Sequence, residues 1–343
     1  MKLGVFDHMD RGAVPLDRFF EERLTLIEAY DRAGFYGYHV AEHHATPLGV
    51  APSPGVWLAA VAQRTQHLRF GPLVYLLPLY HPLKLLEEIC MLDQMSRGRL
   101  LLGVGRGISP IELRYYGLDP AQTPGMYAEG LEVILRGMRG GTVSFEGQHY
   151  AFKDVPIELT PFQTPHPPLW YGLGRKEAIP WAVRNRVNIV GNLPSLQMRD
   201  LTDAYRREWA AQGNAPEDVP LMGVGRHVVV AETNREALEV ARRGYDKWRV
   251  SFLKLWTMHG IRPVMHAVFP ERFEDAEAEG RAVAGTPEKV RAHLQRSIEE
   301  AGLNYLLCRF SFGDITREES LHSIDLFVRQ VMPHLTEALG NVQ

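Results

Sequence analysis

The residues best suited to chemistry sit in three short runs: Ala41-Glu42-His43-His44, Leu73 to Pro82 (LVYLLPLYHP) and Leu92 to Gly107 (LDQMSRGRLLLGVGRG). An imidazole titrates near neutrality, so His43 or His44 could move a proton during a reaction. Neighbouring residues of an extended chain point to opposite sides, so only one of the two faces a common pocket. The other reading is a pair of hydrogen-bonded structural histidines. No partner motif stands at metal-ligand spacing, and no metal is expected. In Gly103-Val-Gly105-Arg106-Gly107 the glycines permit close backbone approach, and Arg106 offers a planar donor fork for phosphate. By itself such a turn is no dinucleotide fingerprint. Gly172-Leu-Gly174-Arg175-Lys176 adds two cations and backbone N–H groups at a helix start, a second place suited to phosphate.

These runs need elements that bring them together. Short β-branched or aromatic stretches alternate with longer segments of helical period, the mark of βα units. Strands are expected at Leu3–Phe6, Tyr38–Ala41, Leu68–Leu76, Leu100–Val104, Leu169–Gly172, Asn188–Gly191, Met222–Val230 and Tyr305–Phe310. Interleaved with helices, they predict an α/β fold, a closed (β/α)8 TIM barrel whose active site lies at the C-terminal ends of the strands. The helices carry their own punctuation: Gly34 ends the first, Ser53-Pro54 and Thr286-Pro287 open two others, and Thr316-Arg-Glu-Glu319 is a capping box for the last. Two stretches break the rhythm. Thr142–Thr160 alternates around Glu146-Gly147 and reads as a β-hairpin insertion. Trp256–Gly285, between strands seven and eight, lacks a clear period and reads as a long loop, hence a lid or a disordered segment. No repeat or linker argues for a second domain, so residues 1–343 are expected to form one.

The bulk numbers exclude other classes. The 343 residues hold 38 Lys and Arg against 41 Asp and Glu, a formal charge of −3 that suggests neither nucleic acid nor an anionic membrane as partner. Two cysteines, Cys90 and Cys308, make no disulfide framework and fit a reducing cytoplasm. The opening Met-Lys-Leu-Gly-Val-Phe-Asp meets an acid before a signal-peptide core develops, and no apolar run spans a bilayer. A soluble, cytoplasmic enzyme or binder is the expectation.

Taken together, Glu42-His43-His44, Leu77-Pro78 with His81-Pro82, and Leu92-Asp-Gln-Met-Ser-Arg-Gly-Arg99 resemble the bacterial luciferase-like family of flavin-dependent monooxygenases. The resemblance covers nearly the whole chain and recurs at Gly285-Thr-Pro-Glu288 and Val331-Met-Pro-His-Leu335. It implies a TIM barrel that uses reduced FMN, supplied in trans by a separate flavin reductase, and molecular oxygen to oxygenate a small organic substrate. The cofactor carries the hard chemistry; the protein orients it and excludes water. A homodimer formed through helices near the first strands is also implied.

Residue by residue, the resemblance makes His43 the catalytic histidine, with His44 beside it. Glu42 stands where the family holds the flavin ring partly through backbone. Leu73-Val74 matches a ring platform that the family often bends through a non-proline cis peptide. Gly105 and Arg106 match a phosphate-binding turn, joined by Gly172, Gly174, Arg175 and Ala178 at the next strand end. Two departures stand out. Luciferases commonly place small hydroxyl residues where this chain has Gly174, Arg175 and Ala178, and an arginine that often clamps the phosphate is replaced by Gly125. Arg175 is expected to supply the lost charge. Asp7-His8, Asn192, Arg226-His227 and Arg309 end other strands and could line the pocket or serve structural roles, and Phe6, Tyr75, Phe310 and Phe312 could wall it. The competing functions are a deazaflavin-dependent hydride transfer on the same barrel, a non-catalytic flavin-binding protein and a metal-dependent barrel hydrolase.

Overall fold

The computed structural model describes residues 1–263 and 268–337. Its first half contains β1 (Lys2–Asp7), α1 (Leu16–Arg32), β2 (Gly37–Val40), α2 (Pro54–Arg64), β3 (Arg69–Pro72), β4 (Tyr75–Leu76), α3 (Pro82–Ser96), β5 (Leu102–Gly105), α4 (Pro110–Tyr115) and α5 (Thr123–Gly137). The hairpin β6 (Gly141–Glu146) and β7 (Ala151–Ile157) follows, then β8 (Leu169–Gly172), α6 (Ile179–Arg184), β9 (Asn188–Gly191), α7 (Ser195–Ala211), β10 (Met222–Val230) and α8 (Asn234–Met258). The chain ends with α9 (Phe273–Ala278), β11 (Ala282–Gly285), α10 (Pro287–Ala301), β12 (Tyr305–Arg309), α11 (Arg317–Gln330) and α12 (Met332–Glu337).

Hydrogen bonding orders the parallel strands β3-β2-β1-β12-β10-β9-β8-β5-β4, with β11 on β10 outside this path. Pairing of Phe70 with Leu100 and of Tyr75–Leu76 with Val104–Gly105 joins the two ends, so the sheet closes on itself. Taking β3 and β4 as halves of one bent strand gives the expected eight-stranded barrel. Thr316 and Glu319 form the predicted capping box, and the hairpin forms antiparallel as read.

Two expectations need correction. The strand read as Leu68–Leu76 is broken at Leu73-Val74, whose peptide is cis, which is the bend that the family resemblance implied there. The stretch Trp256–Gly285 is not one long loop: α8 runs on to Met258, and α9 and β11 occupy its second half. Its prolines, glycines and acidic run masked elements too short to show a period. The lid expectation also falls partly on residues 264–267, outside the described residues.

The barrel interior is stacked in layers. Tyr305, Trp170, Leu101 and His39 fill the lower end, where the Tyr305 hydroxyl meets His39 Nε2 at 3.0 Å. Bare Gly4 makes room for that tyrosine, since a Cβ there would overlap its ring. Phe6, Ala41, Val190 and Leu307 lie buried in the same cluster above it. This floor plugs the barrel and leaves only its upper mouth for a ligand. The opposite end is tied by Arg99, whose guanidinium reaches Thr65 Oγ1, the Leu68 and Ala62 carbonyls and the Ser96 carbonyl.

Candidate active site

The alternation of strand side chains builds the mouth. Two residues beyond each inward plug residue, the same face of the strand surfaces again: His8 follows Phe6, His43 follows Ala41, Gly172 follows Trp170, Asn192 follows Val190 and Arg309 follows Leu307. The alternate residues turn outward. Asp7 accepts from the Met9 amide at 2.7 Å and from the Tyr38 hydroxyl, with Arg23 beside it. Arg226 is buried against Ser195, Ser297 and the Leu193 carbonyl. Phe310 packs among Tyr30, Phe35 and Phe327, and Tyr75 bonds Glu88, so of the four aromatics proposed for the pocket wall these two face away.

His43 and His44 separate in the same way. Nδ1 of His43 lies 3.2 Å from Glu112 Oε1, and the His44 backbone N–H donates to Glu112 Oε2 at 3.1 Å. A carboxylate only accepts, so the His43 proton sits on Nδ1 and Nε2 is left for other partners. Burial opposes a charged ring at His43, but the charge and hydrogen bond of Glu112, helped by Glu42, prevail and hold its pKa above the ordinary 6.5. His44 faces the other way, bonded to Glu42 Oε1 at 3.0 Å and to the Tyr116 hydroxyl at 2.8 Å. Glu42 also accepts from the Leu76 amide and the Tyr80 hydroxyl, so its carboxylate fastens β2 to the chain just past the bend.

Glu112 escaped the sequence reading. Its signal was Ser109-Pro110-Ile-Glu112: Ser109 caps α4 through the Glu112 amide, while the Glu112 side chain reaches across to β2. His8 was read only as a rim residue. Its Nδ1 accepts from Trp248 Nε1 at 3.3 Å, and its ring stacks 5.9 Å from that of His43. Burial, the nearby Arg309 and His43 push its pKa well below 6.5, so His8 is neutral beside a histidine disposed to charge.

Between these walls the mouth has room. A Cβ on Gly172 would meet nothing within 4 Å, and Leu73, Val74 and Asn192 are partly exposed although their strand neighbours are buried. On β5 the position of Gly105 is tight: a Cβ there would overlap Val74, so only glycine lets the bent segment lie across this wall. A chamber of about 20 Å³ beside His43 is closed by Glu112, Phe252 and Trp256. Arg106, Gly174 and Arg175 are exposed at the adjoining ends of β5 and β8. Ala178 faces elsewhere, toward an outer cleft of about 560 Å³ between α5 and α6 with Tyr127, Tyr171 and Trp181. Gly125 is covered by the His149 ring from the hairpin, so a side chain at that position has no room without moving it. The open hollow at Gly172 and the flush Gly105 suit a planar ring such as a flavin.

The model of the family described as luciferase-like monooxygenase matches residues 1–305. This chain belongs to that family. Protein y4wF of Sinorhizobium fredii (strain NBRC 101917 / NGR234) is 43% identical over 323 residues, 94% of each chain. The monooxygenase RslO1 from Streptomyces bottropensis superposes with a TM-score of 0.87 at 27% identity, over 98% of this chain and 100% of that one. The oxygenating constituent of 3,6-diketocamphane monooxygenase from Pseudomonas putida, solved in complex with FMN, shares the fold with a TM-score of 0.81 at 21% identity, over 97% and 98%. The enzyme is thus a flavin-dependent monooxygenase, an oxidoreductase that takes O2 and a small organic molecule. No helix among the described residues is long and apolar enough to cross a membrane.

Proposed function

We propose that this luciferase-like monooxygenase is the oxygenase half of a two-component system, receiving reduced FMN from a separate flavin reductase. Bound reduced FMN supplies the means to activate O2 for transfer of one oxygen atom to the substrate. His43 exchanges a proton at Nε2 while Glu112 holds Nδ1. Leu73-Val74 and Gly105 form the platform for the ring, with the Glu42 carboxylate bracing it from behind through Leu76. Arg106 and Arg175 hold the phosphate, beside Gly172 and Gly174; His44 acts only through Glu42. The observation that carries the reading is the inward His43 ring, 16% exposed in side chain, set in the mouth above a plugged barrel. Residues 1–343 form one domain, the protein works in the cytoplasm, and two copies pair through α2 and α3. The exposed Val56, Met91 and Met95 on those helices support that pairing.

The test is oxygen uptake and product formation with chemically reduced FMN and a panel of ketones, aldehydes and terpenes, for the wild type and His43→Ala. Loss of the proton-transfer group predicts a fall in turnover of about 10²–10⁴-fold. The FMN dissociation constant should stay within about threefold, well under the tenfold that 1.4 kcal/mol would bring. Unchanged turnover removes His43 from the mechanism, and substrate reduction without oxygen consumption points to hydride transfer instead.

A further inference from the structure

On the wall of the mouth opposite the bend, three guanidinium groups are buried with little to balance them. Arg226, Arg281 and Arg309 are 0%, 5% and 2% exposed. Arg226 is satisfied by serine hydroxyls and backbone carbonyls. Arg281 donates to the Val268 and Asn192 carbonyls and to Glu279, with Phe269 under its plane, and only its Nε lacks a partner among the described residues. Arg309 is different. It donates once, from Nη2 to Asn192 Oδ1 at 2.6 Å, and lies over the Phe6 ring at 4.8 Å. Its Nε and Nη1 have no partner among the described residues.

That arrangement is built for the guanidinium. Gly225 on β10 must lack a side chain, because a Cβ there would meet the Arg309 Nη2 at 2.5 Å. His227 stands directly across from Arg309 in the β10–β12 register, and both of its ring nitrogens are also unpartnered among the described residues. No carboxylate pairs with Arg309 among the described residues. A desolvated cation without a counter-ion is costly to keep. An incoming anion recovers that cost by accepting from the free Nε–H or from Nη1, which face different sides of the guanidinium. Asn192, which accepts from Arg309, is only partly buried and ends the strand next to that of Gly172, so the guanidinium lies behind one side chain of the hollow.

We propose that Arg309, positioned by Asn192 and Gly225 and flanked by His227, is an anion seat that takes the carboxylate of the organic substrate. The assignment rests on the flavin-monooxygenase reading of the same mouth and narrows it to acid-bearing substrates. The carboxylate anchors on the β9–β12 wall, and the rest of the molecule extends toward His43 and the β3–β4 platform. Arg309 is a binding residue here, and the seat selects substrates by charge.

Benzoate and hexanoate serve as probes, with benzamide and hexanamide as neutral counterparts. They are titrated into the protein with and without oxidised FMN, following tryptophan fluorescence and flavin absorbance. A paired charged group predicts that the acids bind at least about tenfold more tightly than the amides. Arg309→Gln should abolish that preference. Asn192→Asp places a carboxylate on the same guanidinium; it should abolish the preference too, with an unchanged or higher melting temperature, which guards against a folding defect in the first variant. Equal binding of acids and amides by the wild type overturns the seat. So does a preference that survives both variants. If the acids do not discriminate but Arg309→Gln weakens reduced FMN alone, the anion is the ionised flavin ring and the substrate assignment is overturned. Because the flavin-free titration is read separately, failure of FMN to bind contradicts the cofactor reading without obscuring the outcome for the seat.

Discussion

At the scale of single residues, the site depends on which side of a strand each polar group takes. His43 and His44 are adjacent, yet one enters the mouth and the other joins Glu42 and Tyr116 behind it. The same parity divides Asp7 from His8 and Arg226 from His227. Glu112 then sets the chemistry of His43. With its folded pKa raised, the protonated ring and its ion pair persist to higher pH than for a free histidine. The stabilisation from this pair is fully present below 6.5 and is lost as pH rises through the raised value. In Glu112→Gln the effect of burial is opposed only by the weaker pull of Glu42, so the limb of the pH–rate profile assigned to His43 should move to lower pH. A profile unmoved by this substitution detaches the limb from His43. Strand parity is readable from sequence once the strand is placed, which is why the inward histidine was legible. Glu112 was not, because its side chain crosses to another element and α4 is only six residues long.

At the scale of elements, the bend between β3 and β4 determines where a flat ligand can lie. Glycines on β5 permit it and the Glu42 carboxylate fastens its far side. Gly105→Val would push Val74 off this wall. It should cost about 1–3 kcal/mol of stability through overpacking and weaken FMN binding by an order of magnitude. Flavin fluorescence quenching measures the second effect, and unchanged quenching means that the platform lies elsewhere. Most elements were plain in the sequence because period, caps and prolines agreed; β8, β9 and β10 have the bounds read from it. The broken third strand was not plain from the residues and came only through the family resemblance, since Leu73-Val74 is as apolar as any strand interior. Nor was the region after Trp256, where α9 and β11 are short and α8 continues past the residue at which its period seemed to end. The run Asp93 to Arg99, a strong part of the family resemblance, binds the lower rim of the barrel and no part of the mouth.

At the scale of the whole molecule, the barrel is sealed below and functions from above. Its interior carries histidines that burial keeps neutral, His39 with its pKa pushed down to about 3 and His8 and His227 well below 6.5, and α10 adds buried His293, pushed down to about 4. Each unfolded histidine takes a proton as pH falls below 6.5 while its folded counterpart does not, so stability drops by roughly 1 kcal/mol per pH unit per group. Asp10, raised by burial to about 7, and Glu42, also raised, act in the opposite direction over part of this range. Four groups against two predict a net loss between pH 6.5 and 4. Calorimetric melting should show a steady fall of the transition temperature across that interval; a flat profile means that these histidines are hydrated.

In the proposed mechanism the flavin sits in the hollow at the strand ends, beside Gly172. Gly172 points into it with nothing within 4 Å, so a large side chain can fill the space without displacing the fold. Gly172→Phe should therefore melt at the wild-type temperature and lose binding of both oxidised and reduced FMN in an anaerobic titration. Wild-type affinity in a properly folded Gly172→Phe protein would contradict the account.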